Sequence, residues 1–456
     1  MDSARLDSGG PAEPAPEANE ACLDSFVRQA PVLPEPRVAD ATLAQASPAL
    51  GIARCRHFGA CGGCARQDLA YDVQLQRKEA ELREVLGARI PDLDPIVPSP
   101  SPWYYRNKME FAFGFQRKPD AADTPSGEAM PSASPVAIGL RRRGQFYGVV
   151  NLTECYLMSP AVPGVLAAVR DWADRHRLPP YHLRRHDGLL RYVVMREGKR
   201  TGQLMVILVT ALPGSGPDSP GEAGFSAQLD ELGVALKGLG VTSFLWAVTD
   251  RQADLAVGPV RRTVFGEPVF EENLAGVRFS LSPYAFFQPN VELAEHLILQ
   301  ARGLLGTGWD MLLDLYCGVG GMTMTLSSCA KRAIGIELEP AAVADAGRNA
   351  VLNGLTNCQF VAEDSLTFIR RFSNHSFLAD RWPLVLDPPR SGMHPKMPAQ
   401  IMRVAPPVII YVSCNPKKLA EDLAVFSAAY RVEKATPFDF FPHTQHVEVL
   451  AKLVRK

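Results

Sequence analysis

The sequence predicts an α/β protein in which a doubly wound parallel sheet, residues 286–456, follows a central, mostly-β region, residues 95–285. After about residue 290, five short apolar runs (MLLDLYCG, AIGIELE, CQFVAED, PLVLDPP and VIIYVSC) end in polar or glycine residues and alternate with helical stretches, as buried parallel strands do. Before residue 285 the apolar residues alternate singly, as in KMEFAFGFQ, where Met109, Phe111, Phe113 and Phe115 share one face. A length of 456 residues suits two to four domains, and a 46% hydrophobic, 21% charged composition supplies a sizeable core.

Taken in order, residues 1–50 are rich in Ala, Pro and acids, lack any helix or strand period, and read as a disordered tail. Acids and the lack of an apolar h-region exclude a secretory signal there. No run of about 18 apolar residues occurs, which excludes a transmembrane helix. Residues 51–94 hold the Gly/Cys-rich stretch GIARCRHFGACGGCAR and a helix over 69–89, with Leu75, Leu82, Val85 and Leu86 at helical spacing. KMEFAFGFQ, VAIGLRRRGQFYGVV, RYVVMREG, QLMVILVT and FLWAVT follow as strands, with VLAAVRDWADRHR as a helix between them. QRKPDAADTPSGEAMPSASP and LPGSGPDSPGEAG have loop compositions. ELAEHLILQARGLL is the helix that opens the βα part.

The net charge of −1 hides an asymmetry. Eight acids against three arginines leave residues 1–50 at −5, so the remainder, with 45 bases and 41 acids, stands at +4. Its bases cluster at Arg141, Arg142, Arg143, at Arg184, Arg185, His186 and at Lys199, Arg200. Clustered bases fit a polyanionic partner as well as a solvated surface. Nine cysteines without a secretion signal point to a reducing cytoplasm, where cysteines bind metal, do chemistry or pack.

Cys55, Cys61 and Cys64 form C-x5-C-x2-C, with Gly62 and Gly63 letting the backbone wrap so that amides can face sulfur. A closed iron–sulfur or zinc site needs four thiolates, and Cys155 in NLTECYLMSP is the fourth candidate. A zinc knuckle or free thiols would fit the same spacing.

MLLDLYCGVGG runs from a strand into a glycine turn, where Gly318 and Gly320 allow a ligand to approach the backbone. Glu337, about 20 residues on, is suited to accept ribose hydroxyls, and Asp364 ends the next strand, where an adenine would sit. The full G-x-G-x-x-G of a dinucleotide site is absent. The shorter loop, with Asp314 four residues before its first glycine, suits the amino-acid end of S-adenosylmethionine (SAM).

VIIYVSCNP places Cys414 just past a buried strand, at the sheet end that hosts active sites. A packed structural cysteine is the alternative. LDPPR offers Asp387 to a base edge, and DFFPHTQHVEVL offers His443, His446 and Glu448. Burial would raise Glu448 toward the range of a general base, although a surface glutamate on a strand fits the same position.

From about residue 51 onward the chain resembles the RNA uridine-C5 methyltransferases (the RumA/TrmA family), through CRHFGACGGC, FFQPN, DLYCGVGG, IELE, LDPPR, VSCNP and FPHTQHVE in that order. The resemblance implies a class I, Rossmann-like SAM-dependent methyltransferase domain, a central RNA-binding α+β domain and a small cluster segment. It implies Cys414 as nucleophile on uracil C6 and Glu448 as the base at C5. Gln288, Tyr316, Gly318, Gly320, Glu337, Asp364 and Asp387 would bind SAM. Cys55, Cys61, Cys64 and Cys155 would hold a 4Fe–4S cluster. Arg106, Asn107, Lys108 and the 141–143 triplet would contact RNA, and the target uridine would be flipped from its strand. The expected substrate is 23S ribosomal RNA, with transfer RNA as the alternative, in the cytoplasm, with no membrane and no obligate protein partner. Two departures from the family are expected: residues 1–50 are too short and too Pro/Ala-rich to form its N-terminal OB-like TRAM domain, and Gly321 stands where many members have Asn. A non-catalytic RNA-binding protein, or a methyltransferase of small molecules or proteins, is the competing reading.

Overall fold

A computed structural model of the protein describes residues 53–116, 136–145, 147–214, 221–372 and 381–456. The expected tail over 1–50 and much of the two expected loops lie outside these residues.

Helix α1, Tyr71–Leu86, begins with Asp72 in its first turn and ends at Gly87. Its buried stripe is Gln74, Lys78, Leu82 and Leu86. Leu75 and Val85, expected on that stripe, are only partly buried, because the polar Gln74 and Lys78 face inward instead.

The central region runs β1 (Lys108–Phe115), β2 (Val136–Gly139), α2 (Val162–Arg175), β3 (Leu190–Glu197), β4 (Leu204–Thr210), α3 (Gly221–Gly238), β5 (Ser243–Val248) and β6 (Val260–Phe265). These strands form one sheet in the order β2-β1-β3-β4-β5-β6. Pairing is antiparallel except between β4 and β5, where α3 makes the crossover that a parallel pair needs. Both faces of the sheet are covered, which explains why LMVILVT is buried throughout. Val193, Val206 and Phe244 pack on one face against Trp172 and Phe225 of the two helices. Val194, Met205 and Leu245 pack on the other against the C-terminal part. Two expectations are corrected here. Phe115 ends its strand 47% exposed, beyond the cover that buries Met109, Phe111 and Phe113. VAIGLRRRGQFYGVV is a strand only over Val136–Gly139, after which single bridges such as Arg141–Val149 take over.

A hairpin, β7 (Phe270–Leu274) and β8 (Val277–Leu281), leads into α4 (Val291–Leu305). Asn290 caps α4 by accepting from the Leu293 amide at 3.2 Å. Then follow β9 (Trp309–Leu315), α5 (Gly321–Thr325), β10 (Ala330–Glu337), α6 (Pro340–Leu352), β11 (Cys358–Ala362), α7 (Ser365–Phe372), β12 (Leu384–Leu386), α8 (Met397–Val404), β13 (Val408–Ser413), α9 (Pro416–Phe426), β14 (Tyr430–Phe438) and β15 (Glu448–Arg455). The sheet order is β11-β10-β9-β12-β13-β15-β14. The pairs among β9 to β13 are parallel, and β15 is antiparallel to both of its neighbours. Leu312, Val385 and Ile410 face the core shared with the central sheet and α4, while Leu313, Leu384 and Ile409 face the core under α1, α8 and α9. No helix among the described residues is long and apolar enough to cross a membrane.

Candidate active site

The carboxyl ends of the parallel strands lie along one edge, and the antiparallel β15 begins there. Leu386 pairs with both Leu315 and Tyr411, so Tyr316 and Asp387 leave adjacent strands together. Ser413 pairs with Val449 as the last rung of that ladder, so Cys414 and Glu448 flank this rung at the same end, near enough for the Glu448 charge to act on the thiol. Residues far apart in sequence thus meet by register alone.

Three backbone positions after β9 take positive φ: Tyr316 (67°), Gly318 (54°) and Gly320 (81°). At Gly320 a Cβ would stand 2.8 Å from Phe360, so the turn needs glycine both for conformation and for space. The Gly318 amide donates to Glu337 at 3.1 Å and the Glu339 amide to its other oxygen at 2.9 Å. Asp314 is fully buried below this loop. One of its oxygens accepts from the Thr323 hydroxyl at 2.5 Å and the other has no partner. Burial pushes Asp314 up to about 7, with the Asp387 and Glu337 charges adding to the shift. An orphaned carboxylate under an open glycine turn fits a ligand with a positively charged amino group. Asp364 is exposed, and its Oδ1 accepts from the amide and hydroxyl of Thr367, both at 2.9 Å, capping α7. That oxygen is therefore spent on the helix.

Gln288 reaches in from the loop before α4 and donates to Asp387 at 3.3 Å. Its own carbonyl accepts from Asn107 at 2.8 Å, and Pro289 accepts from the Asn107 amide at 3.0 Å. Burial pushes Asp387 up to about 7. Glu448 is 5% exposed, and burial together with the Asp387 charge raises it well above the carboxylate range. Burial, then Glu448 and Asp387, push the Cys414 thiol up to about 11. Arg390 opposes both shifts. Its carbonyl accepts from the Asn415 side chain at 3.0 Å, and its guanidinium meets His446 at 3.1 Å. The thiol, two carboxyls and a guanidinium together can make, hold and release a covalent bond while moving a proton. Arg390 stands in LDPPR, but its place among these groups depends on a fold of the chain that the motif does not reveal.

The cysteine segment lies elsewhere, against the central region. Among the described residues, no group of three or more His, Cys, Asp or Glu stands in metal-ligating geometry, and no cysteine is in a disulfide. Cys55, Cys61 and Cys64 nevertheless lie close enough to Cys155 for it to raise each of their thiols electrostatically. Burial is the larger cause, pushing Cys55 and Cys64 up to about 12 and Cys61 to about 11. The Gly63 amide donates to the Cys61 sulfur at 3.3 Å, and Gln67 to the Cys64 sulfur at 3.5 Å.

Several expected RNA contacts are engaged within the protein. Asn107 is buried and holds the Gln288 loop. Arg141 pairs with Asp254 at 2.7 Å, and its carbonyl accepts from Gly62 at 3.0 Å. Arg143 donates to the carbonyl of Cys64. The basic triplet thus braces the cysteine loop, because sequence neighbours on a turn are drawn to the nearest unsatisfied carbonyls.

The tRNA (uracil-5-)-methyltransferase family model matches residues 275–456. An uncharacterized RNA methyltransferase of Clostridium tetani is 34% identical over 413 residues, 89% of this chain and 84% of that protein. A tRNA (uracil(54)-C(5))-methyltransferase of Pyrococcus horikoshii is 32% identical, covering 90% of this chain and 88% of that protein. The crystal structure of the Pyrococcus abyssi tRNA (uracil-54, C5)-methyltransferase with S-adenosyl-L-homocysteine superposes with a TM-score of 0.66 at 28% identity, over 87% of this chain and 86% of that one. Relatives this similar across nearly the whole described chain, and a family match that contains both Cys414 and Glu448, make this chain a member of the tRNA (uracil-5-)-methyltransferase family.

Proposed function

We propose that the protein methylates C5 of a uridine in RNA, with Cys414 as nucleophile and Glu448 as general base. The observation that carries this is the proximity of Cys414, Glu448 and Asp387 just beyond the last β13–β15 pair, Ser413 with Val449, where both carboxyls act on the thiol. Uracil C5 is a poor nucleophile until C6 is saturated. The Cys414 sulfur adds to C6 and its proton passes to the Asp387 carboxylate, which leaves Glu448 available for the later step and C5 electron-rich. SAM, when bound, supplies an electrophilic methyl group. Glu448 then takes the C5 proton, the C–H electron pair rebuilds the C5–C6 double bond, and the bond to Cys414 breaks. Asp387 holds the uracil edge or a group close to the methyl donor. Gln288, Tyr316, Gly318, Gly320, Glu337, Asp364 and Asp387 form the SAM-binding set, with Asp364 limited to its free oxygen.

Cys55, Cys61, Cys64 and Cys155 are the ligands proposed for a 4Fe–4S cluster, which would supply metal–thiolate bonds tying the segment to the central region. Visible absorption with iron and zinc analysis of the purified protein tests this against zinc. For the RNA target, the cysteine pattern supports 23S ribosomal RNA through its resemblance, while the two Pyrococcus relatives favour transfer RNA. Mapping C5-methyluridine in both RNAs from a deletion strain decides between them. The catalytic reading is tested with 5-fluorouridine RNA and SAM. A stable covalent adduct is expected, and Cys414→Ala abolishes it. Glu448→Gln keeps covalent attachment to ordinary RNA but blocks release, and full turnover by that variant overturns the base assignment.

A further inference from the structure

Between Phe438 and Glu448 the chain crosses from β14 to β15 without regular structure, and this connection ends on Glu448 itself. Residues 65–105 hold much of it, beside Asn290 on the Phe440 carbonyl and Arg390 on His446. Lys78 is buried with no exposed side-chain surface, and its ammonium is 2.5 Å from the equally buried Asp439. It also donates to the carbonyls of Phe441 at 3.0 Å and His446 at 3.1 Å. An ammonium has three donors, and all three are spent on one loop. His443 adopts φ 65°, a left-handed conformation costly for a residue with a Cβ. Gln74 grips it twice, accepting from its amide at 2.9 Å and meeting Nδ1 at 3.2 Å. The amides of Ala65 and Arg66, which directly follow Cys64, donate to its carbonyl at 2.7 and 3.0 Å. Trp103 stacks on its ring at 3.8 Å, and the Tyr105 hydroxyl donates to Pro442 at 3.2 Å.

We infer that α1 and the residues just after Cys64 form a clamp that sets the position of the general base, with Lys78, Gln74 and His443 as positioning residues for Glu448. The inference rests on the reading of Glu448 as the base. A buried ion pair is poor evidence for stability, because desolvation consumes most of the attraction and an apolar pair of similar volume would serve as well. What the apolar pair could not do is bind the carbonyl of His446, two residues before Glu448, and that of Phe441 at the same time. The left-handed His443 is likewise a conformation imposed by its surroundings rather than one the residue prefers. Both features restrict where the loop ends, and proton abstraction depends on that end point.

The test uses the full chain, a uridine RNA that it methylates, and SAM in single turnover, with the covalent adduct followed on denaturing gels. His443→Asn is the first variant, since Asn tolerates the left-handed backbone. The double variant Lys78→Met with Asp439→Asn is the second and leaves no uncompensated ammonium. Adduct formation is expected to stay close to wild type while adduct release slows by about tenfold or more, as a small misplacement of a reacting group does. The adduct then accumulates, as in Glu448→Gln. Equal losses in formation and release, or no change in release for both variants, overturn the clamp. Release at the wild-type rate by Glu448→Gln overturns the base reading and the clamp with it.

Discussion

Cys414 carries its proton under ordinary conditions, because burial and two carboxyls disfavour the thiolate. Arg390 is the cation that works against them. The alkylation rate of Cys414 by iodoacetamide, followed by peptide mass spectrometry, is expected to rise with pH toward about 11, and Arg390→Gln moves that midpoint higher. Asp314 is shifted in the same direction, and its shift bears on stability within a milder pH range. Its carboxyl stays protonated in the folded chain up to about 7, from a usual value of 3.8, so the unfolded chain loses its proton first. Stability from this group is therefore full below the lower value and is lost as pH rises to the upper one. Asp314→Asn is expected to raise the melting temperature at about pH 8, a gain that fades as pH falls toward about 4. At this scale the motifs disclose Cys414, Asp387 and Gln288, each just past an apolar run, and Glu448, which opens one. They do not disclose that Asn107 and Arg141 face inward, since nothing local to those residues separates a buried polar side chain from an exposed one.

Among the elements, β13 and α9 hold the nucleophile between them. Asn415 caps α9 by accepting from the Lys418 amide at 3.3 Å and also donates to Arg390, so one side chain secures both flanks of Cys414. Asn415→Ala is expected to cost about 1 kcal/mol in denaturant unfolding and to lower methyl transfer further than that loss explains. In β10, a Cβ on Gly335 would lie 2.7 Å from the Cys317 sulfur and 2.8 Å from both Phe360 and Thr323. Gly335→Ala is expected to destabilise the fold by about 1–3 kcal/mol, read as a lower unfolding midpoint. Strands and helices that bury apolar stripes are plain in the sequence, as β4 and α4 illustrate. Helix α1 is not, because its inward face is half polar. Lys78 reads as a solvated charge until the carbonyls it binds, more than 360 residues away in sequence, are brought to it.

At the scale of the molecule, the central and C-terminal sheets share one apolar core through α4, so the Gln288 loop and the rung are carried on a common frame. The alternation of periods foretells two sheets of different kind. It does not foretell that the hairpin β7–β8 bonds to α6, with Asn349 accepting from the Ser280 amide at 2.8 Å. Polyanion binding should be salt-dependent, with affinity for RNA falling linearly on logarithmic axes. Arg184 and Arg185 are exposed on a turn, and replacing both with Ala is expected to reduce that slope by about two if each meets a phosphate, as filter binding across a salt series will read. The antiparallel return of β15 has one more outcome. Thiol and carboxylate are separated by 34 positions of sequence yet flank the last pair of one ladder, Ser413 with Val449, so hydrogen-bond phasing between two backbones is the ruler of the reaction. A slip of one pair would turn the carboxylate to the opposite side of the sheet, and a slip of two would carry it about 7 Å along the strand, beyond the reach of any proton on the ring.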